Sequence, residues 1–143
     1  MTPTDFSFNV KSSGKPLDLA VKLDNTIIHD LTIDNDITSV TVQMDDEVEA
    51  DHCLEIILKN KTPEHTTVDE NNNIIADSEL VFSDIMIDEI DIEELLYFVA
   101  KYFHDFNGTG EATEENFYGT MGCNGIVQIN LQTPIYLWLL ENL

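Results

Sequence analysis

The most constraining feature of this chain is a strict two-residue alternation in the segment 52–59. Three large aliphatic side chains occupy alternate positions within it: Leu54, Ile56 and Leu58. In an extended chain successive side chains point to opposite faces, so a period of two places these residues on one side. A helical face would instead need a period near 3.6. The segment therefore predicts a β-strand with one buried face.

A second segment, 80–87, repeats this rhythm with one residue too many. Leu80 and Phe82 share a face, but the apolar pattern then resumes one residue late, after Ser83-Asp84. An extra residue in one strand of a pair is typical of a β-bulge. The polar residues 60–79 separate the two segments and are too many for a tight hairpin. We therefore predict two core strands joined by a long polar excursion.

Shorter runs with the same period occur along most of the chain. They lie near residues 6–10, 17–23, 26–33, 40–44 and 127–131. Turn-forming residues such as Asp24-Asn25 separate them. The pattern predicts an all-β fold of eight or nine short strands. We expect one antiparallel two-sheet β-sandwich, jelly-roll-like, that spans residues 1–143 as a single domain.

Three further segments do not show a clear two-residue alternation. Leu95, Leu96 and Val99 have helical spacing, so two helical turns over residues 93–100 are one alternative. Residues 97–103 are aromatic and bulky, which favours a strand with at most one helical turn before it. The apolar carboxyl end, 135–143, is either the last core strand or a docking segment. Its apolar run is too short to span a bilayer. Residues 1–5 lack a basic region followed by an apolar one, so we expect no signal peptide.

The charge balance narrows the classes of partner. The chain has 28 acidic residues against six lysines and no arginine, which gives a formal net charge of −22. Nucleic-acid binding needs cations directed at phosphates, and an anionic membrane surface repels such a chain. The sequence therefore predicts no nucleic-acid and no membrane partner. The self-repulsion must be offset by salt, divalent cations or a basic partner.

Acidic loops raise the question of a calcium site. The segment 69–73 begins like an EF-hand loop, but it lacks the glycine at the sixth position and has no flanking helices, so we reject an EF-hand. A looser site remains open, because calcium accepts carboxylate and amide oxygens in flexible geometry. The alternative is turn chemistry, since asparagine tolerates left-handed backbone. The candidate calcium ligands are Asp69, Asn71, Asn73 and Asp77.

Catalytic and structural zinc patterns are missing from the sequence. There is no nucleophile elbow, phosphate loop or dinucleotide fingerprint, and the four histidines are not spaced like zinc ligands. We expect Cys53 and Cys123 to be free thiols, and nothing in the sequence supplies a base for Cys123. The prediction is a protein without catalytic residues or a required cofactor, and not an enzyme. Aromatic residues clustered in the last third suit a core, a subunit interface or sugar binding.

Six segments carry a resemblance to a known group of proteins: 52–62, 69–75, 85–90, 104–108, 117–125 and 133–142. They resemble small β-sandwich proteins associated with the virions of marine tailed phages, cyanophages especially. The resemblance covers roughly residues 50–143 and brings no catalytic motif with it. It implies a structural or accessory role on the virion surface, after assembly in the host cytoplasm. More weakly, the layout is similar to calcium-dependent carbohydrate-binding modules.

Three functional hypotheses follow. The first is a phage virion protein, in capsid decoration or on the tail, that contacts other virion proteins or further copies of itself. The second is a calcium-dependent carbohydrate-binding module, for which the partner is a glycan. The third is an acidic mimic of DNA that inhibits a host protein.

Overall fold

Residues 2–143 are described by a computed structural model, in which they form thirteen β-strands and two α-helices. The strands are β1 (Pro3–Ser12), β2 (Leu17–Leu23), β3 (Thr26–Ile33), β4 (Thr38–Asp45), β5 (Ala50–Lys59), β6 (Thr67–Val68), β7 (Ile74–Ala76), β8 (Leu80–Ile87), β9 (Ile90–Asp91), β10 (Ala100–His104), β11 (Thr113–Asn116), β12 (Thr120–Met121) and β13 (Gly125–Thr133). The helices are α1 (Glu93–Val99) and α2 (Ile135–Asn142). Nine of these strands have four or more residues, in agreement with the predicted eight or nine.

Two antiparallel sheets form the body of the molecule. One has the strand order β12-β8-β1-β4, with β9 paired to β8. The other has the order β11-β10-β13-β5-β2-β3. The chain passes from one sheet to the other several times, for example from β1 to β2 and from β4 to β5. The predicted fold class, an all-β sandwich of antiparallel sheets, is confirmed.

The core consists of the alternate residues that the sequence pattern assigned to one face of each strand. Leu54, Ile56 and Leu58 of β5 are buried, and so are Leu80 and Phe82 of β8. They belong to one continuous apolar cluster that also receives residues from both helices. Burying this apolar area is the main force that holds the two sheets together.

The bulge predicted at Ser83-Asp84 is present in β8. Asp84 and Ile85 lie opposite the single residue Phe8 of β1. Asp84 has a φ of 48°, in the left-handed region, and the side-chain amide of Asn9 donates to its carboxylate over 3.0 Å. The extra residue restores the inward direction of the apolar side chains beyond it, and Ile85 is buried.

The structure corrects the prediction for residues 97–103. Helix α1 continues through Val99, and the strand begins only at Ala100. The amide of Glu93 donates to Asp91 Oδ1 over 2.9 Å, which forms an Asx turn directly before the helix. Leu95 and Leu96 face the core. Helical packing of these leucines outweighs the strand preference of the aromatic residues that follow.

The carboxyl end is a helix, not a strand. Strand β13 ends at Thr133, and Pro134 cannot donate a hydrogen bond to continue a sheet. Ile135, Trp138 and Leu139, at helical spacing, are buried. Within residues 2–143, neither helix has the length and hydropathy needed to cross a membrane.

Candidate functional site

A cleft of about 580 Å³ lies where α2 meets β5, β13 and the β2–β3 turn. It is larger than two other clefts of about 340 Å³ each, one of which adjoins it. Its volume falls within the range of roughly 300 to 1,000 Å³ that is usual for small-molecule sites. Most of its lining side chains are polar: Asp24, Asp51, His52, Asn130, Gln132, Glu141 and Asn142.

One wall of the cleft is the two-residue turn between β2 and β3. Asp24 and Asn25 have φ angles of 50° and 69°, as a type I′ hairpin turn requires. Asp24 Oδ2 lies 2.7 Å from His52 Nδ1, and the amide of Cys53 donates to Asp24 Oδ1 over 2.8 Å. Burial acts to raise the pKa of Asp24, but these hydrogen bonds outweigh it, so the pKa lies below its ordinary value. Asp24 is therefore ionised at neutral pH.

The imidazole of His52 connects Asp24 to a buried hydroxyl. His52 Nε2 lies 3.2 Å from Thr133 Oγ1, which in turn donates to the carbonyl of Val48 over 2.5 Å. A carboxylate, an imidazole and a hydroxyl in this order resemble the relay of some hydrolases. Thr133 is 3% exposed, however, and its proton is directed to a carbonyl instead of to the imidazole. The arrangement joins the β2–β3 turn to strands β5 and β13, and its hydroxyl is not available to the cleft as a nucleophile.

The floor of the cleft carries a row of hydrogen-bonding side chains. The register of β13 on β5 places Gln132 opposite Asp51, and Gln132 Nε2 donates to Asp51 Oδ1 over 2.9 Å. Asn130 lies two residues away on the same face of β13 and is exposed. Trp138 also lines the cleft, although it is only 5% exposed. Amide and carboxylate groups beside an apolar surface can bind a ligand that has both hydroxyl groups and apolar faces.

The four calcium candidates are divided between the two ends of the β6–β7 hairpin. At the turn, Asp69 Oδ1 accepts the amide hydrogens of Asn71 and Asn73, each over 2.9 Å. These bonds hold the pKa of Asp69 below its ordinary value. Asp77 follows β7 at the other end, 2.9 Å from the ammonium of Lys61. Among residues 2–143 no group of three or more Asp, Glu, His or Cys side chains is placed to hold a metal ion.

Lys61 and Asp77 form an ion pair beneath the long excursion between β5 and β8. The Lys61 side chain is 3% exposed, and its ammonium also donates to the carbonyl of Gly122 over 2.5 Å. Asp77 Oδ1 accepts further hydrogen bonds from the hydroxyl of Thr66 and the amide of Ser78. Burial acts to raise the pKa of Asp77, but these hydrogen bonds and Lys61 have the larger, opposite effect. The pKa of Asp77 therefore lies below its ordinary value. The predicted ligand Asp77 therefore already has a cation as its partner.

The two cysteines are free, as expected. Burial raises the pKa of the Cys123 thiol, although the nearby Lys61 acts in the opposite direction. A raised pKa leaves the thiol protonated at neutral pH, which makes it a poor nucleophile. The backbone of Cys123 is held by Tyr102, whose hydroxyl donates to its carbonyl and accepts its amide hydrogen. Cys123 thus occupies a structural position.

Neither a protein-family model nor a curated protein matches the chain. A solved structure does: the carbohydrate-binding module vCBM60 in complex with galactobiose. The alignment has a TM-score of 0.52 and covers 89% of this chain and 99% of that one, at 8% sequence identity. At so low an identity the likeness shows a shared sandwich fold. These comparisons give no support to the resemblance to cyanophage proteins.

Sequence reasoning found part of this site. It predicted an alternating strand near residues 127–131, whose period places Asn130 on the face opposite the apolar residues, and it placed Asp24 in a turn. It did not connect these residues to His52 or Trp138. The contacts depend on the pairing of strands far apart in the chain, which periodicity does not reveal.

Proposed function

We propose that this chain is a non-catalytic glycan-binding module whose site is the cleft between α2, β5 and β13. The observation that carries the proposal is the row Asn130, Gln132 and Asp51 beside Trp138, in a sandwich that shares its fold with a galactobiose-binding module. Each hydroxyl of a sugar can donate and accept a hydrogen bond. Amides satisfy both roles, and carboxylates accept.

The charge of the cleft selects among sugars. Asp24, Asp51 and Glu141 line it, and no lysine does so in the described part of the chain. A sulfated or carboxylated sugar would be repelled, since unpaired like charges oppose binding. The expected ligand is therefore a neutral oligosaccharide, for which galactobiose is a suitable first probe.

The exposure of Trp138 sets the expected strength of binding. An aromatic ring that lies open to solvent gives a sugar a wide apolar platform. With 5% of Trp138 exposed, the apolar contact is small and hydrogen bonds must supply most of the affinity. Because such bonds replace bonds to water, their net contribution is modest, and we expect a dissociation constant in the millimolar range.

The test is an NMR titration with galactobiose, preceded by an array of neutral and anionic glycans. We expect shifts of the Asn130 and Gln132 side-chain amides, and at least a severalfold loss of affinity in Gln132→Ala. Gln43→Ala is the matched control, because Gln43 is also exposed on a strand, in the other sheet. The proposal would be refuted if no glycan on the array binds and millimolar galactobiose causes no NMR chemical-shift change.

Calcium dependence is a separate part of the hypothesis. The titration is repeated with calcium and with a chelator, and loss of binding in chelator would show that a metal takes part. The role in a phage virion also stays a prediction, which mass spectrometry of purified virions tests directly. The DNA-mimic hypothesis likewise stays a prediction, to be tested by pull-down of a host nucleic-acid-binding protein.

A further inference from the structure

We propose that the exposed face of α2 is a docking surface for a cationic amphipathic segment of a partner protein. This inference does not require glycan binding, although two carboxylates, Asp51 and Glu141, line both the glycan cleft and the edge of this surface. It rests on the outer side of the helix, whereas the glycan hypothesis rests on the outer face of β13.

Helix α2 is apolar on both of its sides. One side packs into the core through Ile135, Trp138 and Leu139. The other side is exposed: Tyr136 by 60%, Leu137 by 47%, Leu140 by 73% and Leu143 by 75%. A helix that is apolar all round is usually covered on every side. The exposed side of α2 is therefore unusual for a chain with so much charge.

The exposed residues form a continuous stripe. Tyr136, Leu140 and Leu143 are separated by four and three positions, which places them one above the other on a helix. The amide of Leu143 donates to the carbonyl of Leu139 over 2.9 Å, so the helical turn continues to the end of the stripe. This spacing matches the way in which one amphipathic helix packs against another.

Carboxylates flank the stripe at both ends. Leu137 shares a cleft with Glu49, Asp51 and Glu141. At the other end, Leu143 shares a cleft with three acidic residues at the start of α1: Asp91, Glu93 and Glu94. No lysine lines either cleft in residues 2–143. The surface is thus an apolar strip between two groups of negative charge.

Charge complementarity identifies the occupant. A second copy of this chain would bring another net charge of −22 to the surface, and an anionic membrane would be repelled in the same way. A partner segment with leucine-like side chains in its centre and lysines or arginines at its ends would satisfy both features. Electrostatic attraction would also speed its association.

The probe is a fluorescent synthetic helix made of leucine and lysine, and its binding is measured by anisotropy. We expect Leu140→Asp to weaken binding about tenfold or more, since the variant removes a leucine side chain that the bound peptide would cover. The matched control is Ile37→Asp, at an isoleucine that is 62% exposed elsewhere. Both variants add one negative charge, so binding by charge alone would be unchanged or stronger in both, and that result would overturn the proposal.

Further measurements check the fold of the variant and test the two alternative occupants, a second copy of this chain and a membrane. Circular dichroism checks that Leu140→Asp is folded, and Tyr136→Asp replaces it if it is not. Dimerisation of the wild type that Leu140→Asp abolishes would overturn the proposal in favour of a second copy. Binding to phospholipid vesicles, without binding to the peptide, would overturn it in favour of a membrane.

Discussion

At the scale of single residues, Asp24 combines two tasks. Its backbone forms the β2–β3 turn, and its carboxylate holds His52 and the amide of Cys53. Asp24→Asn separates the tasks, because asparagine tolerates the left-handed backbone but carries no charge. We expect the free energy of unfolding to fall by about 1 kcal/mol at neutral pH, a modest loss because the side chain is half exposed. Urea denaturation measures the change.

The same variant has a defined pH dependence. The pKa of Asp24 lies below its ordinary value of 3.8, so the unfolded chain takes up the proton first as the pH falls. Its stabilising contribution is fully present above the unfolded pKa and is lost as the pH falls through the folded one. The difference in stability between wild type and Asp24→Asn should therefore shrink below about pH 4. A difference that stays constant down to about pH 2 would contradict this explanation.

At the scale of elements, the Lys61–Asp77 ion pair fixes the long excursion between β5 and β8 to the loop at Gly122. The two partners differ in exposure: 3% for the lysine side chain and 32% for the aspartate. Asp77→Asn leaves a buried ammonium without its counter-ion, which costs about 3 kcal/mol. Lys61→Met leaves a carboxylate that water and two donors still solvate, so we expect a loss of about 1 kcal/mol. Chemical denaturation measures the free energy of unfolding of both variants. Equal losses in the two variants would contradict the explanation from the unequal burial of the two partners.

The elements also show how far sequence reasoning reaches. The strands β1 to β5, β8 and β13 and the β8 bulge were predictable because alternation is a local property, visible wherever apolar and polar residues contrast. The short strands β6, β7, β11 and β12 were not predicted, since each is too short or too polar to show a period. Helix α2 was not predicted as a helix, since residues 135–140 are all apolar and provide no contrast from which to read a period. The cleft was not predictable either. Its contact between His52 and Thr133 joins residues 81 positions apart, and only the register of two strands brings them together.

At the scale of the whole molecule, most negative charge has no cationic partner nearby. The described residues contain two ion pairs made by lysine, Lys59 with Asp30 and Lys61 with Asp77, against 28 acidic residues in the chain. The other carboxylates are hydrated and repel one another over distances set by the salt concentration. Folding brings these charges closer together than they are in the unfolded chain, so the repulsion opposes the compact state.

Screening should therefore stabilise this protein. Between about 0.01 M and 1 M sodium chloride, the Debye length falls from roughly 30 Å to roughly 3 Å, and we expect the melting temperature to rise by several degrees. Calcium and magnesium chloride at matched ionic strength should act alike, because Asp69 is bonded within its own turn and Asp77 to Lys61. Calorimetry compares the three salts. A melting temperature independent of salt would refute the role of self-repulsion, whereas a larger effect of calcium that Asp69→Asn removes would reveal a calcium site at that turn.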